Sequence, residues 1–200
     1  MANTDSPHGL VPIRHKNGAP YNGAVNAYYI NSSYATALGI GDPVLINGTS
    51  NTTGINGYPA GALPEIEKSA AAAGGYISGV IVGFDVNEDN LSQQYNPAST
   101  ERVAFVCDDP DVVFRIQEDG DTTPLAATSV GLNADLIFTN AVDTATGISG
   151  VELDSDTAAT TATLKMKILR MASMNNNEIG AYAEWEVMIN LHTQRNATGY

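Results

Sequence analysis

The sequence predicts a mainly β protein: a small β-barrel or sandwich with an extended N-terminal arm and at most one short helix. Three observations carry this. Over residues 102–118, Val103, Phe105 and Cys107 alternate with Arg102, Ala104 and Val106, and Val112, Phe114 and Ile116 alternate with Val113, Arg115 and Gln117. Period two is the signature of strands. The C-terminal part repeats the pattern, with Leu164, Met166 and Ile168 set against Lys165 and Lys167, and Trp185, Val187, Ile189 and Leu191 set against Glu184, Glu186, Met188, Asn190 and His192. Finally, only 16% of residues are charged, against about 25% in an average soluble domain. Polarity comes instead from Asn, Thr, Ser and Gly, which suits strands joined by ordered loops, or subunits that cover much of their surface in an assembly.

The elements follow in order. Residues 1–24 are punctuated by Pro7, Gly9, Pro12, Gly18, Pro20 and Gly23, and read as an extended arm rather than a packed element. Residues 25–200 form the β-rich domain. Its first strand covers 25–30, with Tyr28 and Tyr29 on opposite faces. A turn over 39–43 leads to a short strand at 43–46, and 47–61 are a loop of Gly, Asn, Thr and Ser. The one helix-like segment is 64–75, with Pro64 at its start, Glu65 and Glu67 in the first turn and Gly74 and Gly75 after the alanines. It reads as a short packed helix or an irregular loop.

Residues 76–86 are a strand whose internal Gly79 and Gly83 mark a bend or a close approach to another backbone. The opening segment, 102–118, reads as a two-stranded antiparallel unit around the turn Asp108-Asp109-Pro110-Asp111. Residues 120–162 are weakly patterned, with strand candidates at 136–138 and 151–153, and read as an insertion, a subdomain or a second face of the barrel. The C-terminal strands form a long-looped hairpin with the single tryptophan, Trp185, in the core. Lys165 and Lys167 are placed to pair across it with Glu184 and Glu186.

The formal net charge is −13. Phosphate neutralisation needs clustered Lys and Arg, so nucleic acid is not expected as a direct partner, nor is an acidic membrane surface. Ten of the 22 acids fall within residues 85–121. The arm has the opposite bias, with Arg14, His15 and Lys16 together. No run approaches the about 20 apolar residues of a membrane span, and no signal peptide is apparent. The sequons at Asn31, Asn47, Asn51 and Asn196 are expected by chance in an Asn/Thr-rich chain.

The residues offer little chemistry. Cys107 lies on an alternating strand and reads as a buried apolar residue. His8, His15 and His192 are too far apart for a recognisable metal pattern and read as solvated or interface histidines. No nucleophile elbow, phosphate loop or dinucleotide fingerprint is present. Asp85, Asn87 and Asp89 look like the start of a calcium loop, but Asn90 and Asn96 stand where glycine and glutamate are required. Tyr58 and Tyr95 are thin support for a glycan site. No catalytic residue, cofactor or metal is expected. The candidate contact residues are the basic Arg14, His15 and Lys16, laid across an acidic neighbour, and the acidic Asp108, Asp109 and Asp111.

Several segments together resemble a family. They are Ser6-Pro7-His8-Gly9-Leu10-Val11-Pro12, Tyr21-Asn22-Gly23-Ala24-Val25-Asn26-Ala27-Tyr28-Tyr29-Ile30, Gly41-Asp42-Pro43-Val44, Gly79-Val80-Ile81-Val82-Gly83-Phe84, Tyr95-Asn96-Pro97-Ala98-Ser99-Thr100, Asp108-Asp109-Pro110-Asp111-Val112-Val113-Phe114 and Ala183-Glu184-Trp185-Glu186-Val187-Met188-Ile189-Asn190. In this order they resemble capsid decoration, or cement, proteins of tailed bacteriophages, over nearly the whole chain and least at 120–162. The resemblance implies a non-enzymatic virion protein on the outer capsid surface that clamps adjacent major capsid proteins. It also implies a homo-oligomer, commonly a trimer, whose extended arms reach neighbouring capsid subunits. The alternatives are another virion component, of tail, neck or fibre base, and a capsid-displayed glycan-binding module.

Overall fold

The computed structural model describes residues 3–70, 75–88 and 90–195. They form eleven strands and two short 3-10 turns, and no α-helix occurs among them. Five strands close into a barrel in the order β2 (Asn26–Ile30), β4 (Pro64–Lys68), β3 (Pro43–Ser50), β5 (Gly79–Phe84), β6 (Arg102–Cys107). The other six build a second sheet in the order β1 (Val11–His15), β7 (Val112–Gln117), β11 (Glu184–Ile189), β10 (Met166–Met171), β8 (Asn133–Ile137), β9 (Glu152–Ala159). Strands overlap all of those foreseen at 25–30, 43–46, 76–86, 136–138 and 151–153, but β3 runs on to Ser50 into the foreseen loop, β8 starts earlier at Asn133 and β9 runs on to Ala159; the C-terminal pair is antiparallel.

Tyr28 and Tyr29 take opposite sides of β2, as alternation requires. Tyr28 faces the barrel interior with Ile30, Leu38, Val44, Ile66, Ile81, Ala104 and Val106, while Tyr29 packs outside with Leu63 and Val103. A larger core lies between barrel and sheet, where Val80 and Cys107 meet Leu10, Phe114, Trp185 and Val187. The internal glycines of β5 behave as the sequence implies. A Cβ on Gly79 would lie 2.6 Å from the Cys107 carbonyl oxygen, and the register against β6 shifts between Ile81 and Gly83.

Three expectations are corrected. Strands β6 and β7 exist, but they are not a hairpin. β6 pairs with β2 and β5, and β7 with β1 and β11. Each is a central strand with both edges taken, so the acidic turn carries the chain from barrel to sheet. The helix-like segment begins instead as β4, in which Ile66 alone is fully buried and Glu65 accepts hydrogen bonds from Asn31, Asn47 and Thr49. Period two over Pro64–Lys68 outweighs the helix-start residues, and 71–74 lie outside the described residues. The foreseen Lys–Glu rungs also fail. Lys167 stands opposite Met188, Lys165 pairs with Asp135 at 3.0 Å, and Arg170 stands opposite Glu186.

The N-terminal segment folds onto its own chain. Val11–His15 is an edge strand of the second sheet, Leu10 is buried, and the Leu10 N–H donates to the Gly41 carbonyl at 2.9 Å. The crossing demands glycine on both sides. Gly9 and Gly41 have φ of +66° and +95°, and a Cβ on Gly9 would lie 2.5 Å from the Gly41 oxygen. At the far edge, the six-stranded sheet curls back on itself. Glu118, just past β7, bridges Leu153 of β9 in parallel, and the Asp119 N–H donates to the Leu153 carbonyl at 3.1 Å.

Candidate functional site

The crossover from barrel to sheet collects the candidate residues. Pro110 prevents β6 from running on, and the Val112 N–H closes the turn on the Asp109 carbonyl at 3.2 Å. Antiparallel pairing of β1 with β7 sets His15 against Val112, which brings the basic end of β1 to the acidic turn. His15 Nδ1 lies 3.1 Å from Asp109 Oδ2, and the Lys16 N–H donates to the Asp111 carbonyl at 2.7 Å. Arg195, which sequence reasoning missed, reaches back from the C-terminal 3-10 turn to pair with the Asp111 carboxylate. Asp108 points to the barrel instead, accepting from Tyr28 Oη at 2.7 Å and from Asn26 Nδ2 at 2.9 Å.

His15, Lys16, Asn17, Asp109 and Asp111 line an open concavity of about 560 Å³. A His–Asp pair orients an imidazole, but a triad of the serine-hydrolase kind also needs a Ser, Thr or Cys on that imidazole, and this lining contains none. The concavity presents both signs of charge on a rigid frame, which is chemistry for contact. Arg14 departs from the group. It points to the opposite face and donates to Glu186 Oε2 at 2.6 Å, beside Arg170, whose Nε donates to the same oxygen at 2.8 Å. Burial pushes the Glu186 carboxyl up, but Arg170 and Arg14 outweigh it and hold the group below the usual carboxylate range.

The loop resembling a calcium site is organised by a protein cation. Arg102, 7% exposed, donates from Nε to the Asp85 carbonyl at 2.8 Å, from Nη1 to Tyr95 at 2.8 Å and from Nη2 to Gln93 at 3.3 Å. Its guanidinium also lies 5.1 Å from the centre of the Phe84 ring. Asp89 lies outside the described residues. Among the described residues, no three His, Cys, Asp or Glu side chains converge as metal ligands, and no helix is long and apolar enough to cross a membrane.

The remaining candidates separate. Cys107 is buried as expected, and burial pushes its thiol up to about 11. His192 differs from the solvated or interface reading. It is buried, its Nδ1 accepts the Gln194 N–H at 3.1 Å, and burial pushes it down to about 4. His8 Nε2 lies 2.9 Å from Glu184 Oε1. Tyr58 packs beside the Tyr29, Leu63 and Val103 cluster, whereas Tyr95 contributes its carbonyl to Arg102. A second concavity of about 550 Å³, lined by residues such as Leu10, Pro12, Tyr21, Val82 and Phe105, is almost wholly apolar. It offers mostly apolar contact area, with His8 in its lining. Compared with protein family models, with curated proteins and with solved structures, the chain matches none.

Proposed function

We propose that this chain is a virion structural protein of the capsid decoration type, without enzymatic activity. It binds the outer surface of a shell of major capsid proteins and bridges adjacent capsomers. One observation carries the reading: most of the segments in which the resemblance lies brace one another. Residues 6–12 cross 41–44 through Leu10 and Gly41, the Gly41 N–H donates to the Ile81 carbonyl, Asn26 and Tyr28 donate to Asp108, and β7 pairs with β11. What these segments share is framework rather than reactive side chains, which suits a protein whose work is to hold a shape against neighbours.

In this reading the concavity at His15, Lys16, Asp109 and Asp111 meets the capsid or a second copy, with a trimer the favoured assembly. Each subunit adds modest contact area, and symmetry multiplies it into avidity. The segment before residue 16 does not serve as a free arm, because Val11–His15 already belongs to the sheet. Substitution is therefore a cleaner test than truncation. The full-length protein is added to purified capsids lacking it, and occupancy is read by co-sedimentation and particle imaging. Saturable occupancy that falls in the double variant Lys16→Glu/Asp111→Lys supports the proposal. Absence of binding at every ionic strength overturns it, and density at the tail or neck assigns the protein there instead.

A further inference from the structure

We propose that closure of the second sheet is proton-dependent: the loop over residues 118–125 seats against β9 when Glu118 is protonated and loosens when Glu118 ionises. The geometry comes first. Glu118 is wholly buried at the seam where the end of β7 meets β9. Its Oε2 accepts the Leu125 N–H at 2.8 Å, while Oε1 is buried without a hydrogen-bond partner. The Trp185 indole N–H, also buried, faces this carboxyl from β11 and, with the Leu125 N–H, favours its charged form, which burial and the neighbouring acids outweigh. The loop is fastened by Asp119, whose Oδ1 accepts from the Ser155 N–H at 3.0 Å and from the Ser155 hydroxyl at 2.9 Å. Asp121 Oδ1 accepts from the same hydroxyl at 3.1 Å. On the outside, the Tyr182 ring lies flush on Gly120, and Tyr182 takes the left-handed φ of +63° to reach it.

Apart from Lys165, the charges around the seam are acidic. Asp119 and Asp121 act on Glu118 from its own loop; Asp5, from the N-terminal segment, and Asp119 act on Glu152; Asp119, Asp135 and Asp156 act on Asp154. Lys165 on β10 gives its ammonium to Asp135. Burial first, then these neighbours, pushes Glu118 up to about 8 and Glu152 up to about 7, and raises Asp154. Asp121 goes the other way, held low by the Thr123 N–H and the Ser155 hydroxyl. The loop thus keeps one acid charged at the surface and one protonated inside. Because the Glu118 pKa is raised in the closed form, its stabilisation is complete below the ordinary carboxyl range. It is lost as pH rises through about 8.

The test uses the full chain between pH 5 and 9. Protection factors of the Asp119 and Ser155 amides, corrected for intrinsic exchange, should fall by up to about tenfold per pH unit, and the slope should flatten in Glu118→Gln. Emission of Trp185, the single tryptophan, should titrate between pH 7 and 9 in the unmodified protein. Protection factors that stay level in the unmodified protein overturn the proposal, as does a slope in Glu118→Gln equal to that of the parent. Should that variant not fold, emission from the unmodified protein still decides, and a flat trace overturns the idea.

Discussion

Asp42 is a wholly buried carboxylate whose Oδ1 accepts the Ser149 hydroxyl at 2.6 Å. The bond ties the start of a barrel strand to the approach of β9. The same carboxylate receives the Gly39 N–H at 2.7 Å on Oδ2 and the Lys68 ammonium at 3.0 Å on Oδ1. Barrel strand β4, the 39–42 turn and the second sheet thus converge on one charge.

Breaking such a buried pair leaves Lys68 uncompensated, so Asp42→Ala should lower unfolding stability by about 3–5 kcal/mol. Asp42→Asn, which keeps an acceptor for Ser149, should cost less. Urea denaturation of the two variants checks the order, and equal losses would contradict the role assigned to the charge.

Glu186 is 6% exposed and holds Arg14 and Arg170. Glu186→Ala is expected to cost about 1–2 kcal/mol, since it leaves the partly buried Arg14 guanidinium without its carboxylate while Arg170 turns to water. Arg170→Ala, whose side chain is 58% exposed, should cost at most about 1 kcal/mol. The Glu186 pKa is held low in the fold, so its stabilisation is present above the ordinary carboxyl range and fades as pH falls below it. Thermal melts of Glu186→Gln against parent at pH 7 and pH 3 should therefore converge at the lower pH.

A Cβ on Gly120 would collide with the Tyr182 ring. Gly120→Ala should cost about 1–3 kcal/mol. Tyr182→Gly relieves the left-handed backbone and removes the ring, so the double variant should be more stable than the two single losses predict. A double-mutant cycle measures this coupling, and strict additivity would place the strain elsewhere.

The Cys107 thiol is buried and pushed up to about 11. Ellman's reagent at pH 8 should leave it untouched in the folded protein and titrate one thiol in denaturant. Rapid reaction in the folded state would reopen a reactive role.

The ion pair between His15 and Asp109 links partly exposed side chains. Asp109→Asn should change stability by about 0–1 kcal/mol, with the difference shrinking in salt. Because both partners belong to one chain, the effect should not depend on protein concentration where the concavity meets the capsid, and should depend on it where the concavity meets a second copy.

The sequence by itself determined the class and most strands, because period two is a local property that burial on one face enforces. It also placed Trp185 and Cys107 inside. The near-continuous apolar runs of β6 and β7 carried a further signal, since strands buried on both faces lose clean alternation. That signal concerns burial and says nothing of which strands pair, so residues 102–118 read as a hairpin. Pairing was beyond reach because it is set by which edges remain free after distant strands dock. β1 takes one edge of β7, β11 takes the other, and β2 and β5 occupy β6. The same docking decided that Arg14 answers Glu186 rather than an acidic neighbour, that Arg102 fills the loop resembling a calcium site, and that Glu118 is shut into a seam among like charges. Residue types announced the charges, but only the tertiary structure chose their partners, because Coulomb and hydrogen-bond energies depend on distances that strand docking sets.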